Sequence, residues 1–322
     1  MAKPDHIFVV GLSRSGTSLM RNILNKAEEV AVGGESHFLK HWIGYQGFQR
    51  EFARVADIST DAGAKQVVDY IYNLRSNSRR GRGFWGWLQE NVDRELFLQR
   101  LLESDRNEWI LLDLLMEFYA DGKPIRGEKT PAHIHSAPVL LKQYPNAKII
   151  HMFRDPRAIF VSTRGWQLTR AHVTLPYRIL RHFPVFMTEI FVSFHVIFTW
   201  LRVTQLHHQY QQRYPDNYYL CRFEDLVSNP EGALKKLCDF LEIEFTDNML
   251  EISYQNSTVS SQQLSQGFDS SATSRWQKHM SPITYNWIVL WCNKHFPEFH
   301  YQALMLIGGI KFVEYWLGSA MV

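Results

Sequence analysis

The run Gly11-Leu12-Ser13-Arg14-Ser15-Gly16-Thr17-Ser18 has the frame of a nucleotide phosphate loop, GxxxxGK[ST], with one change. Thr17 stands where an ATPase or GTPase carries lysine. Backbone N–H groups of such a loop, followed by a helix N-terminus, cradle an anion. Arg14 adds a planar, bidentate charge, and Thr17 and Ser18 add hydroxyl donors. Without the lysine, the loop suits an anion whose terminal group is less negative than a γ-phosphate. A second anion site is written in Arg154 and Ser162. An arginine leaving a strand and a serine two helical turns on can converge on one anion, although a local Arg154–Asp155 pair would leave the same trace. Glu35 and His37, in Gly33-Gly34-Glu35-Ser36-His37, are two candidate proton acceptors that face one side if the segment is extended.

These groups need elements to position them. Ile7 to Val10 is an apolar, β-rich run, and beyond the loop Leu19, Met20, Ile23, Leu24 and Ala27 recur at helical spacing. The unit therefore reads strand, loop, helix. Val30-Ala31-Val32 predicts a second short strand ending at Gly33-Gly34, which puts Glu35 just past a strand end. Lys148 to Phe153 and Tyr218 to Phe223 are further strand-like runs. Each leads into a helix, after Asp155-Pro156 and Asn229-Pro230, and Leu234, Leu237, Cys238 and Leu241 mark the buried face of the second. Strands alternating with helices predict an α/β class with a mainly parallel central sheet flanked by helices, and ligands at the carboxyl ends of its strands. The region 42–107 is expected to be mostly helical. No linker, charge block or repeat divides the chain, so residues 1–322 are expected to form a single domain, with a core over about 6–280 and a helical C-terminal extension over about 281–322.

Val10 to Met20 resembles the phosphosulfate-binding loop of sulfotransferases that use 3′-phosphoadenosine 5′-phosphosulfate (PAPS). The likeness is to the branch containing tyrosylprotein sulfotransferases and many bacterial homologues. Four further segments follow in the family's order. Phe153 to Ser162 is similar to the 3′-phosphate element, which implies that Arg154 and Ser162 hold that group. Arg126-Gly127-Glu128-Lys129-Thr130-Pro131 resembles a Glu-Lys-Thr/Ser-Pro segment after a central strand, where Lys129 matches the lysine beside the donor's bridging oxygen. Tyr219 to Leu226 looks like an Arg-Tyr-Glu-Asp-Leu segment, but Phe223 replaces the tyrosine; stacking on adenine survives that change and a hydroxyl contact does not. Ser271 to Lys278 resembles the loop that closes over the nucleotide, which adds Arg275, Trp276 and Lys278 to Arg14, Ser15, Gly16, Thr17 and Ser18 as donor-binding residues. The resemblance implies sulfuryl transfer to an acceptor hydroxyl, with Lys129 and Arg14 stabilising the leaving phosphate. Glu35 matches the glutamate proposed as base in the tyrosylprotein branch, and partial burial is expected to raise its pKa to a useful value. His37 is the alternative base, because cytosolic small-molecule sulfotransferases use a histidine. No metal is required, and His133 and His135 are left without a role.

A formal net charge of +3 is too small to suggest a general nucleic-acid binder and is compatible with a local positive pocket for an anionic ligand. Cys221, Cys238 and Cys292 are far apart and form no CxxC pair, which argues against a disulfide framework or a zinc site. Met1 runs almost directly into the strand at His6, so a cytoplasmic setting is expected. Phe183 to Leu201 and Ala303 to Val322 are apolar, yet Glu189, His195, Lys311 and Glu314 make spanning costly and predict buried or peripheral helices. Tyr177, Phe183, Phe186, Phe191, Phe194 and Phe198 would either pack a core or wall a pocket for an apolar, lipid-like or aromatic acceptor, with peripheral membrane contact beside it. Two rivals compete: a small-molecule kinase with a degenerate loop, and an inactive nucleotide-binding adaptor. The missing lysine and the Arg154…Ser162 element count against the first, and Lys129 with Glu35 against the second.

Overall fold

The structure, a computed structural model, describes residues 3–39, 47–74, 83–170, 185–255, 264–299, 303–307 and 311–315. Five strands, β1 (His6–Gly11), β2 (Val30–Gly33), β3 (Ile125–Lys129), β4 (Lys148–Phe153) and β5 (Tyr218–Arg222), form one sheet in the order β2-β3-β1-β4-β5. Every pairing is parallel. Helices cover both faces of such a sheet, which is why β1, β2 and β4 are buried at every position and read as unbroken apolar runs. The strands expected at 7–10, 30–32, 148–153 and 218–223 are present. The last ends one residue early because Phe223 opens a short helix, Phe223–Ser228. Asn229 then caps Pro230–Leu241 through Gly232 N–H, and Leu234, Leu237, Cys238 and Leu241 form its buried face, as the spacing predicts. The expectation of helices over 42–107 holds for Gly47–Val55, Asp61–Tyr72, Gly83–Asn91 and Arg94–Leu102, while 42–46 and 75–82 lie outside the described residues.

Two compact units are distinguishable within the α/β domain. The first comprises residues 1–153 and 210–252 and carries the sheet. The second, residues 154–209 and 253–322, contains the helix Pro156–Arg170, most of Val185–Arg213, and Pro282–His295. Its core includes Phe160, Val196, Trp200, Ile288, Val289 and Cys292. Val185–Arg213 is apolar on two sides. Val192, Val196, Ile197 and Trp200 are buried, whereas Met187, Ile190, Phe191, Phe194 and Phe198 are exposed along one stripe. The aromatic stretch is thus only partly core; Tyr177, Phe183 and the side chain of Phe186 lie outside the described residues.

The helical extension expected over 281–322 needs correction. Pro282–His295 is a helix, but Ala303–Ile307 and Lys311–Tyr315 pair as antiparallel strands. Gly308-Gly309 separates the two runs in sequence, and glycine disfavours a continuous helix through that point. Among the described residues no helix is long and apolar enough to cross a membrane. All three cysteines are free and buried. Burial pushes the Cys221 thiol up to about 12 and that of Cys238 to about 11, and raises that of Cys292 as well.

Candidate active site

The carboxyl ends of β1, β2 and β3 lie side by side, with Val9 in register with Lys129 and Gly33 in register with Glu128. The phosphate loop, Glu35 and Lys129 therefore leave the same edge of the sheet, where ligands of open parallel sheets bind.

β1 ends at Gly11 with φ 141°, and a Cβ there would lie 2.4 Å from the Met152 carbonyl oxygen of β4. Glycine is the residue that fits. Arg14 and Gly16 both take left-handed backbone, at φ 74° and 92°. Gly16 starts the helix Thr17–Leu24 without a side-chain cap, so its first-turn N–H groups are not taken up by a capping residue. Ser15 Oγ is buried and has no hydrogen-bond partner, and Thr17 is buried at the first helical position. An orphaned hydroxyl beside a bare helix start fits an anion such as a phosphosulfate. Ser18 is exposed and Arg14 half-buried. Phe223 is brought to the same place: a Cβ on Gly16 would lie 2.6 Å from its ring. Being nearly fully buried, Phe223 acts as a wall of the loop, a role the sequence did not suggest.

Glu35 follows Gly33, whose missing side chain makes room for Phe84; a Cβ there would fall 2.0 Å from the ring. Lys129 Nζ donates to Glu35 Oε1, and His37 Nε2 lies 3.2 Å from Glu35 Oε2. Glu35 and His37 do face each other, although His37 has φ 49° rather than extended backbone. Burial pushes the Glu35 carboxyl upward, but the hydrogen bond from His37 and the Lys129 charge prevail and hold it at about 2. The raised value expected from the sequence is therefore wrong for the free protein. Burial was foreseeable there, and the two partners were not.

In the second unit, Arg154 follows β4 directly. Its Nη2 donates to the Ala272 carbonyl at 3.2 Å, and its own carbonyl accepts from Trp200 Nε1 at 3.1 Å. Ala272 belongs to the Ser271–Lys278 segment, so two elements singled out from the sequence meet here. Ser162 is half-buried two turns along the helix Pro156–Arg170. Asp155 takes Arg157 at 2.6 Å, and Arg157 also donates to Tyr285 OH at 3.0 Å and lies 4.2 Å over the Trp276 ring. Trp276, also stacked on Tyr285, is a buried anchor of its segment. Arg275 pairs with Asp269, and Lys278 is exposed.

Comparison with known proteins gives a consistent result. Residues 4–247 match the profile of the Sulfotransferase family. The chain is similar to Protein-tyrosine sulfotransferase A of Caenorhabditis elegans, 26% identical over 278 residues. That match covers 84% of this chain but 60% of the relative, so the chain spans less than two thirds of it. A 114-residue stretch is 33% identical to the omega-hydroxy-beta-dihydromenaquinone-9 sulfotransferase Stf3 of Mycobacterium tuberculosis, covering 35% of this chain and 27% of that one. Among solved structures, the sulfotransferase domain of the Synechococcus PCC 7002 olefin synthase has a TM-score of 0.53 at 16% identity, covering 91% of this chain and 95% of that one, a likeness of fold.

Proposed function

This chain belongs to the sulfotransferase family, and we propose that it moves a sulfuryl group from PAPS to a hydroxyl of an apolar, lipid-like or aromatic acceptor. The observation that carries the proposal is the contact of Glu35 with Lys129 at the ends of adjacent strands beside the phosphate loop. Glu35 takes the proton of the acceptor hydroxyl as that oxygen bonds to sulfur. Lys129 and Arg14 stabilise the leaving 5′-phosphate, which keeps the electron pair of the breaking S–O bond. The products are the sulfate ester and 3′-phosphoadenosine 5′-phosphate. Because the free carboxylate is held by Lys129 and His37, donor binding has a second effect: an anion that draws Lys129 away restores basicity to Glu35. Arg14, Ser15, Gly16, Thr17 and Ser18 are assigned to the 5′-phosphosulfate, and Arg154 and Ser162 to the 3′-phosphate. Arg275, Trp276 and Lys278 belong to the segment assigned to closure over the nucleotide. The family match counts against the kinase alternative, as do the missing loop lysine and the Arg154…Ser162 element.

The test is mass spectrometry of lipid, metabolite and tyrosyl-peptide pools incubated with protein and PAPS. We expect an added sulfuryl mass on apolar alcohols or phenols. Adenosine 5′-phosphosulfate should bind more weakly by about 2–3 kcal/mol for the lost charge-assisted contacts, roughly 30- to 150-fold. Equal affinity for both nucleotides in calorimetry removes Arg154 and Ser162 from the site, and labelling confined to peptides moves the acceptor to the class named for the worm relative.

The apolar acceptor draws support from the exposed stripe Met187, Ile190, Phe191, Phe194 and Phe198, whose Phe194 meets Trp287 of Pro282–His295 at 5.5 Å. No Asp or Glu occurs from Arg170 to Thr188, while Arg170, Arg178 and Arg181 do. A basic segment running into an apolar stripe suits the surface of an anionic bilayer. Vesicles containing phosphatidylserine should carry part of the protein to the top of a flotation gradient, with release in high salt. Phe194→Asp with Phe198→Asp should abolish flotation. Failure of the wild-type protein to float, or its extraction by detergent alone, overturns peripheral docking.

A further inference from the structure

Resting on Glu35 as the base, we propose that Glu128 and His133 are positioning residues whose task is to set the backbone that carries it. Neither touches solvent, and neither touches Glu35 through any bond described above; both side chains are fully buried beneath residues 36–39.

Glu128 is the penultimate residue of β3, beside Lys129. A carboxylate without exposure is heavily destabilised unless its oxygens are satisfied. Here His133 Nδ1 meets Oε1 at 2.5 Å, while Thr130 Oγ1 donates to Oε2. The Ser36 N–H reaches the same Oε2 at 3.2 Å. His133 Nε2 accepts the Leu39 N–H at 3.2 Å. A ring nitrogen that accepts has no proton, so the other one, Nδ1, carries it and donates to Glu128. The loop is thus tied at Ser36 by Glu128 and at Leu39 by His133, and the two ties are joined by the bond between them. Thr130 Oγ1 adds a contact to Ser36 N at 3.1 Å.

Between those ties stands His37 in left-handed backbone, which a residue with a Cβ disfavours. Just before them stands Glu35, whose carbonyl accepts Phe84 N–H at 3.0 Å; the Ser36 carbonyl accepts Trp85 Nε1 at 2.8 Å. A strained turn persists where its surroundings over-determine it. Reaction geometry is the beneficiary, because Lys129 holds the Glu35 carboxylate from the same strand whose previous residue holds the Glu35 loop. A buried polar network of this kind costs much when half-satisfied, so removing one member should loosen the rest.

The experiment is a double-mutant cycle between His133→Asn and Glu35→Gln, read as kcat together with donor affinity. If the pair acts through the base, His133→Asn alone should lower kcat by about 10- to 100-fold with donor affinity unchanged. In a Glu35→Gln background it should cost almost nothing more, because the group it positions can no longer accept a proton. Multiplied losses, or a parallel loss of donor binding, would show general disruption and overturn the proposal. Thermal melts accompany each protein; if His133→Asn does not fold, Thr130→Val enters the same cycle. Full activity in Glu35→Gln alone sinks the base assignment instead, a result distinct from failure of the cycle.

Discussion

Glu35→Gln should lower kcat by about 10²- to 10⁴-fold while donor affinity does not fall. The substitution keeps size and hydrogen bonding but removes the proton acceptor. Donor affinity is spared because an amide no longer competes as an anion for Lys129, its partner in the free protein. His37→Ala separates the two candidate bases, since His37 shares the carboxylate at 3.2 Å. With Glu35 as base, His37→Ala should retain most activity, having lost only a hydrogen bond to Glu35. An active Glu35→Gln beside an inactive His37→Ala transfers the role to the histidine.

Lys129→Ala should lower kcat by about 10²- to 10³-fold through loss of leaving-group stabilisation, and should also change the pH profile. Glu35 is held at about 2, below its ordinary value of 4.5, so the free protein keeps it ionised throughout the working range. Without Lys129 the carboxyl rises toward that ordinary value, and the acid limb of kcat/KM moves up with it. We expect wild-type kcat/KM to be flat from about pH 7 to 5 and the variant to fall across the lower part of that window. The same sign governs stability. A depressed carboxylate contributes stability fully above its unfolded value, and that contribution is lost as pH falls through the folded one. Superimposable profiles would leave the depression of Glu35 to the His37 hydrogen bond and remove Lys129 from it.

Much of the sheet was legible because β1, β4 and the start of β5 announce themselves as apolar runs, and the helix after Asn229-Pro230 by its cap. β3 was not. Its sequence, Ile125-Arg126-Gly127-Glu128-Lys129, is polar, yet it lies between β2 and β1. The sheet accepts it because Glu128 and Lys129 find partners off the strand end, and because Gly127 leaves room for the Ile7 carbonyl, 1.8 Å from where a Cβ would sit. Such pairing is set by tertiary neighbours and has no local trace. The same reason hid the depressed pKa of Glu35 and the buried contacts of His133 with Glu128 and Leu39. Phe223 and Trp276 were legible as residues near the proposed nucleotide elements, but an aromatic side chain's sequence position does not reveal which way its ring turns, and both are buried.

The three buried thiols give the protein an internal clock for opening. A thiol whose pKa lies far above neutrality, and which alkylating reagents cannot reach, reacts only when its surroundings come apart. Cys221 sits in β5, Cys238 in the helix Pro230–Leu241, and Cys292 in Pro282–His295, so each reports on a different element. The first two belong to one compact unit and the third to the other. Peptide mapping of alkylated cysteines over time therefore turns the sequence of labelling into a record of which unit loosens first, with no foreign probe added to the chain.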